Sequence, residues 1–310
     1  MAVIEQALTF KDHEGHRVSG ILASPPSHTD RVTVLCHGFL SNKNSMTNKT
    51  LTTLLCEQGI ASFRFDFFGQ GESEGPFERI TVSLAVKQAL AALELVASKS
   101  YRRIGLVGSS FGGLVALMAA ARWSHRFIAP PHPGPAVTGP LPVAPGGHVT
   151  RPKPEPAKVK TGSLHTGRAP SCSPLACLAL KCPVPDFPEM LELEFGKQGM
   201  AEWKRTDTIS DVIGGEGHVK LQYGFYEDCA RHLGYDAAKI ITAPTLIVQG
   251  DQDEYVPLHQ SQRLYSALQS EKRLEILAGV DHRFSRPEDF RRMTTLLADW
   301  IVQHLPAERL

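Results

Sequence analysis

The sequence predicts an α/β fold: a mostly parallel sheet with helices on both faces. Three observations predict it. Short β-branched runs alternate with longer helical runs over most of the chain, several of the strand runs read as buried, and glycines and polar residues cluster where those runs stop. Strands that alternate with helices of this length build parallel sheets covered on both sides. At 310 residues the length suggests about two domains, although α/β enzymes often exceed that scale as a single unit.

Each element has its own signal. Val3–Phe10 and Arg17–Ala23 read as a β-hairpin around Asp12-His13-Glu14-Gly15. Arg31–Cys36 is apolar and β-branched and stops at His37-Gly38, as a buried strand would. Asn48–Gln58 suits a helix closed by Gly59, and Ile60–Phe65 is the next strand. Val82, Ala85, Val86, Ala89, Leu90, Leu93 and Val96 repeat at helical spacing and mark an amphipathic helix. Arg103–Val107 is a strand. Gly112–Trp123 is apolar almost all round, as a helix buried on a sheet should be. Leu175–Cys182, Pro244–Gln249 and Arg273–Val280 supply three more strands, with a helix between the last two. Phe290, Met293, Leu297, Trp300, Ile301 and His304 mark a terminal amphipathic helix.

One stretch breaks the pattern. Twelve of the 22 prolines fall within residues 129–176, and residues 129–174 carry a single acid, Glu155. Proline removes backbone donors, and so little apolar sequence cannot offset its ordering entropy. Residues 129–174 are therefore expected to be a disordered insertion, with 1–128 and 175–310 forming the core. Within it, Arg151-Pro152-Lys153-Pro154-Glu155-Pro156 has the composition of a polyproline II ligand.

Composition excludes several classes. The apolar fraction is 42% and the charged fraction 21%, with a net charge of +1 and no basic stripe, which argues against a nucleic-acid protein. No run of about 18 apolar residues suggests a membrane span, and the start of the chain shows no basic and apolar signal-peptide pattern. Six cysteines (36, 56, 172, 177, 182, 229) miss zinc-site spacing and are too few for a disulfide framework. Free thiols in the cytoplasm are expected.

The chemistry falls at strand ends. Ile104-Gly105-Leu106-Val107-Gly108-Ser109-Ser110-Phe111-Gly112-Gly113 is a strand, then G-x-S-x-G, then a helix: a nucleophile elbow with Ser110 at its tip and Ser109 at the variable position. Gly108 and Gly112 suit a turn too crowded for a Cβ. A serine nucleophile needs a base, and the base an orienting acid. Acids follow the Leu246–Gln249 strand at Asp251 and Asp253, and His282 follows the next strand; of 13 histidines it alone meets both order and placement. His259, on the helix after Pro257, reads as a surface residue.

At His37-Gly38-Phe39, Gly108–Gly112, Gly250–Pro257 and Asp281-His282 the chain resembles the α/β-hydrolase superfamily. Asp66-Phe67-Phe68-Gly69-Gln70-Gly71-Glu72-Ser73 is similar to the D-x-x-G-x-G-x-S turn of its esterase and serine-aminopeptidase-like branch. His37-Gly38-Phe39 with Ser41–Asn44, and Arg64–Phe67, look most like the bacterial cinnamoyl/feruloyl esterases. The resemblance implies an α/β-hydrolase fold with a lid and a serine carboxylic-ester hydrolase acting on hydroxycinnamoyl or other short or aryl esters, with no metal or organic cofactor. It implies Ser110, Asp253 and His282 as catalytic residues, with Asp251 as runner-up acid, otherwise capping its own loop. It implies an oxyanion hole from the backbone N–H groups of Phe39 and Phe111, each such donor worth roughly 3–4 kcal/mol. Gln249 stands where the family pattern has a histidine, a departure read as touching no catalytic role, and His37 is expected to support its loop.

Topology assigns the two long excursions. The helix after Ser110 starts at the carboxyl edge of the sheet, where ligands bind in such folds, and ends at the opposite edge. The proline tract should thus hang away from the site, whereas residues 183–242 follow a strand's carboxyl end and are expected to form the lid. Phe187, Met190, Phe195, Trp203, Tyr223, Phe225 and Tyr226 are candidates to line its pocket or to pack it on the core. A serine aminopeptidase-like peptidase and a thioesterase are alternatives with the same triad, and an inactive hydrolase-like binding protein is an alternative of another class.

Overall fold

Six parallel strands end along one edge of the sheet, and Ser110, Asp253 and His282 follow the ends of three of them. The computed structural model describes residues 3–126, 174–209 and 219–307. In chain order the elements are β1 (Ile4–Lys11), β2 (Arg17–Ser24), β3 (Arg31–Cys36), α1 (Met46–Glu57), β4 (Ala61–Phe65), α2 (Val82–Ser98), β5 (Arg103–Ser109) and α3 (Phe111–His125). There follow β6 (Leu175–Lys181), α4 (Phe187–Thr206), the two-residue strands β7 (Thr208–Ile209) and β8 (Leu221–Gln222), α5 (Gly224–Cys229) and α6 (Gly234–Ala238). The chain closes with β9 (Thr245–Gly250), α7 (Leu258–Ala267), β10 (Lys272–Leu277) and α8 (Pro287–His304).

Among the described residues, eight strands form one sheet in the order β1-β2-β4-β3-β5-β6-β9-β10. The β1–β2 hairpin is antiparallel and joins β4 antiparallel. From β4 to β10 every pairing is parallel, so the crossovers must be helices. This is the α/β-hydrolase fold.

Both faces are covered. The α2 stripe predicted from spacing is buried in full, and α3 is buried nearly all round, with Phe111, Leu114, Val115, Leu117 and Trp123 inaccessible. These two helices pack into the larger core cluster, and α1 and α8 into the other through Leu51, Leu55, Met293, Leu297 and Ile301. The ends shift by a few residues from expectation. The strand predicted to reach Val280 stops at Leu277, because Gly279 takes φ +70° and its N–H donates to Asp251 Oδ1 at 2.6 Å.

The register fixes both excursions. Leu175 lies beside Ile104 at one end of the β5–β6 pair, and Lys181 beside Ser109 at the other. At about 3.3 Å per residue the start of β6 is roughly 20 Å from the Ser109 edge. The proline tract itself lies almost wholly outside the described residues. Residues 183–209 and 219–242 follow the carboxyl end of β6. There α4 is capped by the Asp186 carboxylate, which accepts from Glu189 N–H at 3.1 Å, and it bends at Gly196.

Candidate active site

Ser110 sits at φ +52° and ψ −117°, between the last residue of β5 and the first of α3. A residue with a side chain pays for that region of backbone space, so the surroundings must impose it. Two glycines show how. A Cβ on Gly108 would lie 2.2 Å from the Gly112 carbonyl oxygen, and one on Gly112 would lie 2.3 Å from the His37 carbonyl oxygen. Ser110 N–H donates to the Lys181 carbonyl at 2.8 Å, pinning the elbow to β6. The start of α3 places positive dipole beside the hydroxyl.

Asp253 and His282 come from the loops after β9 and β10. These loops interlock so closely that a Cβ on Gly250 would lie 1.9 Å from the Val280 carbonyl oxygen. Asp253 Oδ1 accepts from the N–H groups of Tyr255 (3.0 Å) and Val256 (2.8 Å), and Oδ2 accepts from Gln249 Nε2 at 3.3 Å. The His282 Nδ1 atom lies 3.0 Å from Oδ1 and 2.8 Å from Oδ2. Burial of Asp253 opposes its ionisation, but the His282 bond and charge and the two backbone donors outweigh it and hold the carboxyl below the ordinary range. His282 is fixed at its backbone too: its N–H donates to Glu254 Oε2 (3.1 Å) and its carbonyl accepts from Lys181 Nζ (2.8 Å). Ser110 and His282 line one cavity of about 450 Å³. No direct hydrogen bond joins them, as is common before a substrate is bound.

Phe39 lines that cavity, and Phe111 is fully buried. Their rings pack at 5.3 Å between centroids, and Phe187 of α4 and Phe225 of α5 join the same cluster. Neither backbone N–H donates to another group among the described residues. His37 holds the loop before Phe39. Its Nε2 accepts from Phe67 N–H at 3.1 Å, so its Nδ1 is the donor to the Gly38 carbonyl at 2.8 Å. Burial drives its pKa down to about 4, which keeps the ring neutral. Asp66 organises the facing turn by accepting from Lys43 N–H, Lys43 Nζ and Glu72 N–H. Gly71 is required there, since a Cβ would lie 2.3 Å from that carboxylate.

A family model described as serine aminopeptidase, S33, matches residues 27–288. The chain belongs to this family. The S33 chain is 26% identical over 265 residues to the mitochondrial palmitoyl-protein thioesterase ABHD10 of Rattus norvegicus, covering 85% of this chain and 73% of that protein. Two solved structures share its fold. Est1E of Butyrivibrio proteoclasticus with ferulic acid bound has a TM-score of 0.70 at 20% identity, over 96% of this chain and 99% of that one. Mouse α/β hydrolase domain-containing protein 10 has a TM-score of 0.68 at 18% identity, over 96% and 99%.

The fold of this S33 member gathers Ser110, Asp253, His282 and Phe39 at one edge and leaves other candidates outside. Asp251 is exposed and caps the Gly279 turn, and His259 is exposed on α7 with its Nε2 2.9 Å from Glu189 Oε1. Gln249, where the family pattern has a histidine, lies beside the acid: its amide reaches Asp253 and donates to the Val256 carbonyl at 2.7 Å. Of the seven residues offered as pocket lining, Phe187 and Met190 reach the cavity. Phe195, Trp203, Tyr223 and Tyr226 pack on one another instead. Leu191, Tyr255, Lys181 and Arg283 line it without having been anticipated. Lys181 had a visible signal, a lone cation ending the apolar run Leu175–Leu180.

A second Ser/His/Asp group, Ser83, His232 and Asp228, has other work. Asp228 accepts from both the hydroxyl (2.7 Å) and the N–H (2.7 Å) of Ser83 and so ties α5 to the start of α2. Cys182 Sγ, Asp253 and His282 lie within 4.8 Å of one another, but the carboxylate already faces the ring nitrogen, and burial holds the thiol protonated. The five described cysteines are free and buried. Among the described residues no helix is long and apolar enough to cross a membrane.

Proposed function

We propose that this S33 hydrolase is a serine carboxylic-ester hydrolase working through an acyl-enzyme on Ser110. The observation that carries the reading is a serine forced to positive φ at a strand-to-helix elbow, in one cavity with a histidine whose far nitrogen is held by a buried carboxylate. With Nδ1 held by Asp253, Nε2 is the nitrogen left to take the Ser110 proton as the hydroxyl attacks the ester carbonyl. The oxyanion receives the N–H groups of Phe39 and Phe111. His282 returns its proton to the departing alcohol, then deprotonates a water that attacks the acyl-enzyme and frees Ser110.

Residues 183–209 and 219–242 act as the lid. Phe39, Phe187, Met190, Leu191 and Tyr255 give the cavity an apolar wall suited to a short acyl or an aryl group, the hydroxycinnamoyl class included. The free buried thiols fit a reducing compartment such as the cytoplasm. Thioester hydrolysis is the second reading, favoured by the name of the rat relative, and needs the same residues. The deciding experiment is labelling by a fluorophosphonate probe with mapping of the modified peptide, followed by rates on p-nitrophenyl esters, methyl ferulate, acyl thioesters and aminoacyl anilides. Modification at Ser110 with ester turnover is expected. A folded protein that leaves Ser110 unmodified and cleaves none of them is a hydrolase-like binding protein instead.

A further inference from the structure

The cavity of Ser110 and His282 has an uneven charge. Lys181 and Arg283 line it, and no carboxylate does among the described residues. Lys181 is 7% exposed. Its Nζ donates to the His282 carbonyl at 2.8 Å and lies 5.0 Å from the Phe284 ring centroid, with no carboxylate oxygen of the described residues within ion-pair distance. A buried ammonium normally has a carboxylate partner, because the neutral contacts that remain offset only part of its desolvation.

The nearby acids are otherwise engaged. Asp253 holds His282 and the loop amides, Glu254 accepts from His282 N–H, and Asp281 accepts from Ser285 N–H. A second cavity, of about 660 Å³ between α1 and α8, shares Met46, Thr47 and Arg283 with the first. It adds Arg291 and again no carboxylate. Arg283 thus stands where the two cavities adjoin, and cations line both.

We infer that the leaving half of the substrate carries an anionic group, a carboxylate or a phosphate, received by Lys181 and Arg283. The side of the substrate follows from the mechanism, so this inference rests on the ester-hydrolase reading. As the acyl C–O bond breaks, the leaving oxygen takes the proton that His282 took from Ser110, so the leaving half lies against His282. Lys181 touches the His282 backbone and Arg283 is its chain neighbour. The acyl half goes to the apolar wall of Phe187, Met190 and Leu191. Two cations in a partly enclosed site favour an anion more than the same charges would in open water.

The test is a series of phenyl acetates that differ at the para position of the leaving phenol: carboxylate, its neutral methyl ester, and phosphate. Each rate is divided by the rate of the same ester with hydroxide, which removes leaving-group electronics. The normalised kcat/KM is expected to be about tenfold or more higher for an anionic ester than for the neutral one, and the ratio should fall as salt rises. The better of the carboxylate and phosphate arms identifies the group. Arg283→Gln should bring the ratio toward one and Arg283→Glu should invert it. Lys181→Met should lower it, with a melting curve to check its fold. Arg205→Gln, an exposed charge on α4 paired with Glu202, should leave it unchanged. Turnover of all three esters at a ratio of one, or a ratio indifferent to Arg283, overturns the inference and leaves the esterase reading intact. If no ester were cleaved and Ser110 resisted the probe, both would fall.

Discussion

Asp253 faces His282 Nδ1 with both carboxylate oxygens, at 3.0 and 2.8 Å, while its other acceptor positions are filled by the loop it closes. Such a carboxylate fixes the ring's tautomer and orientation, and in the proposed mechanism it stabilises the imidazolium formed in each half-reaction. Asp253→Asn replaces one oxygen with a donor that cannot accept from Nδ1–H. It should lower kcat by about 10⁴, as the same exchange does in the serine-protease triad. Asp251→Asn should keep most turnover and lose on the order of 1 kcal/mol of stability through its weakened bond to Gly279 N–H. Near-normal turnover in Asp253→Asn would move the acid's role to Asp251 or Glu254.

Ser109 and Ser110 are neighbours with opposite expectations. Ser110 holds the elbow's positive φ, whereas Ser109 closes β5 with its hydroxyl buried and without a partner among the described residues. On the proposed ester-hydrolase reading Ser110→Ala should remove three or more decades of ester turnover, since a catalytic triad acts as a unit. Ser109→Ala should keep turnover, with unchanged or slightly raised stability, because it deletes a buried polar atom that has no partner. Steady-state rates beside melting curves check both, and a reversed pair of results would show that the elbow register is wrong.

How far these residues were legible follows from the range of the forces involved. The α2 stripe and the buried run of β3 were readable because periodicity and β-branching are local properties of the chain. Ser110 was readable because Gly108 and Gly112 announce a crowded turn, and the crowding proves to involve the His37 carbonyl. The hydrogen bond from Gln249 to Asp253 was not, because it depends on how the β9 loop folds back to Val256. The aromatic residues of 183–242 were equally opaque. Composition cannot tell Phe187, which turns to the cavity, from Trp203, whose Nε1–H is spent on the Leu221 carbonyl at 3.0 Å.

His37 gives stability a pH dependence of known sign. Its pKa in the folded protein, about 4, lies below the unfolded histidine value of about 6.5. Between those values the unfolded chain holds the additional proton, so stability rises with pH. The contribution is present in full above about 6.5 and is lost as pH falls toward 4, by on the order of 3 kcal/mol across the window. Denaturant unfolding at pH 7 and pH 5 should show a larger loss in the wild-type chain than in His37→Gln, which cannot titrate there. Equal losses in the two would mean that His37 is not the group responsible.

The last expectation concerns residues 130–174, through their points of attachment. On one side the chain leaves α3, 15 residues beyond the Ser110 elbow. On the other it enters β6 at Leu175, paired with Ile104 at the edge of the sheet away from Ser109. A helix of that length runs about 22 Å, so both joints lie on the side of the sheet remote from the cavity. Loop closure costs only about (3/2)RT ln n, and a long segment there is thermodynamically cheap to keep or to remove. Exchange of Pro130–Pro174 for a short Gly/Ser linker should therefore preserve kcat/KM on the best ester and leave the melting temperature equal or higher. In the full chain, limited trypsin digestion should cut first at Arg151, Lys158, Lys160 or Arg168. A deletion variant that folds and labels with fluorophosphonate yet turns over its ester slowly would instead place part of this segment at the active site, against the topology of its two ends.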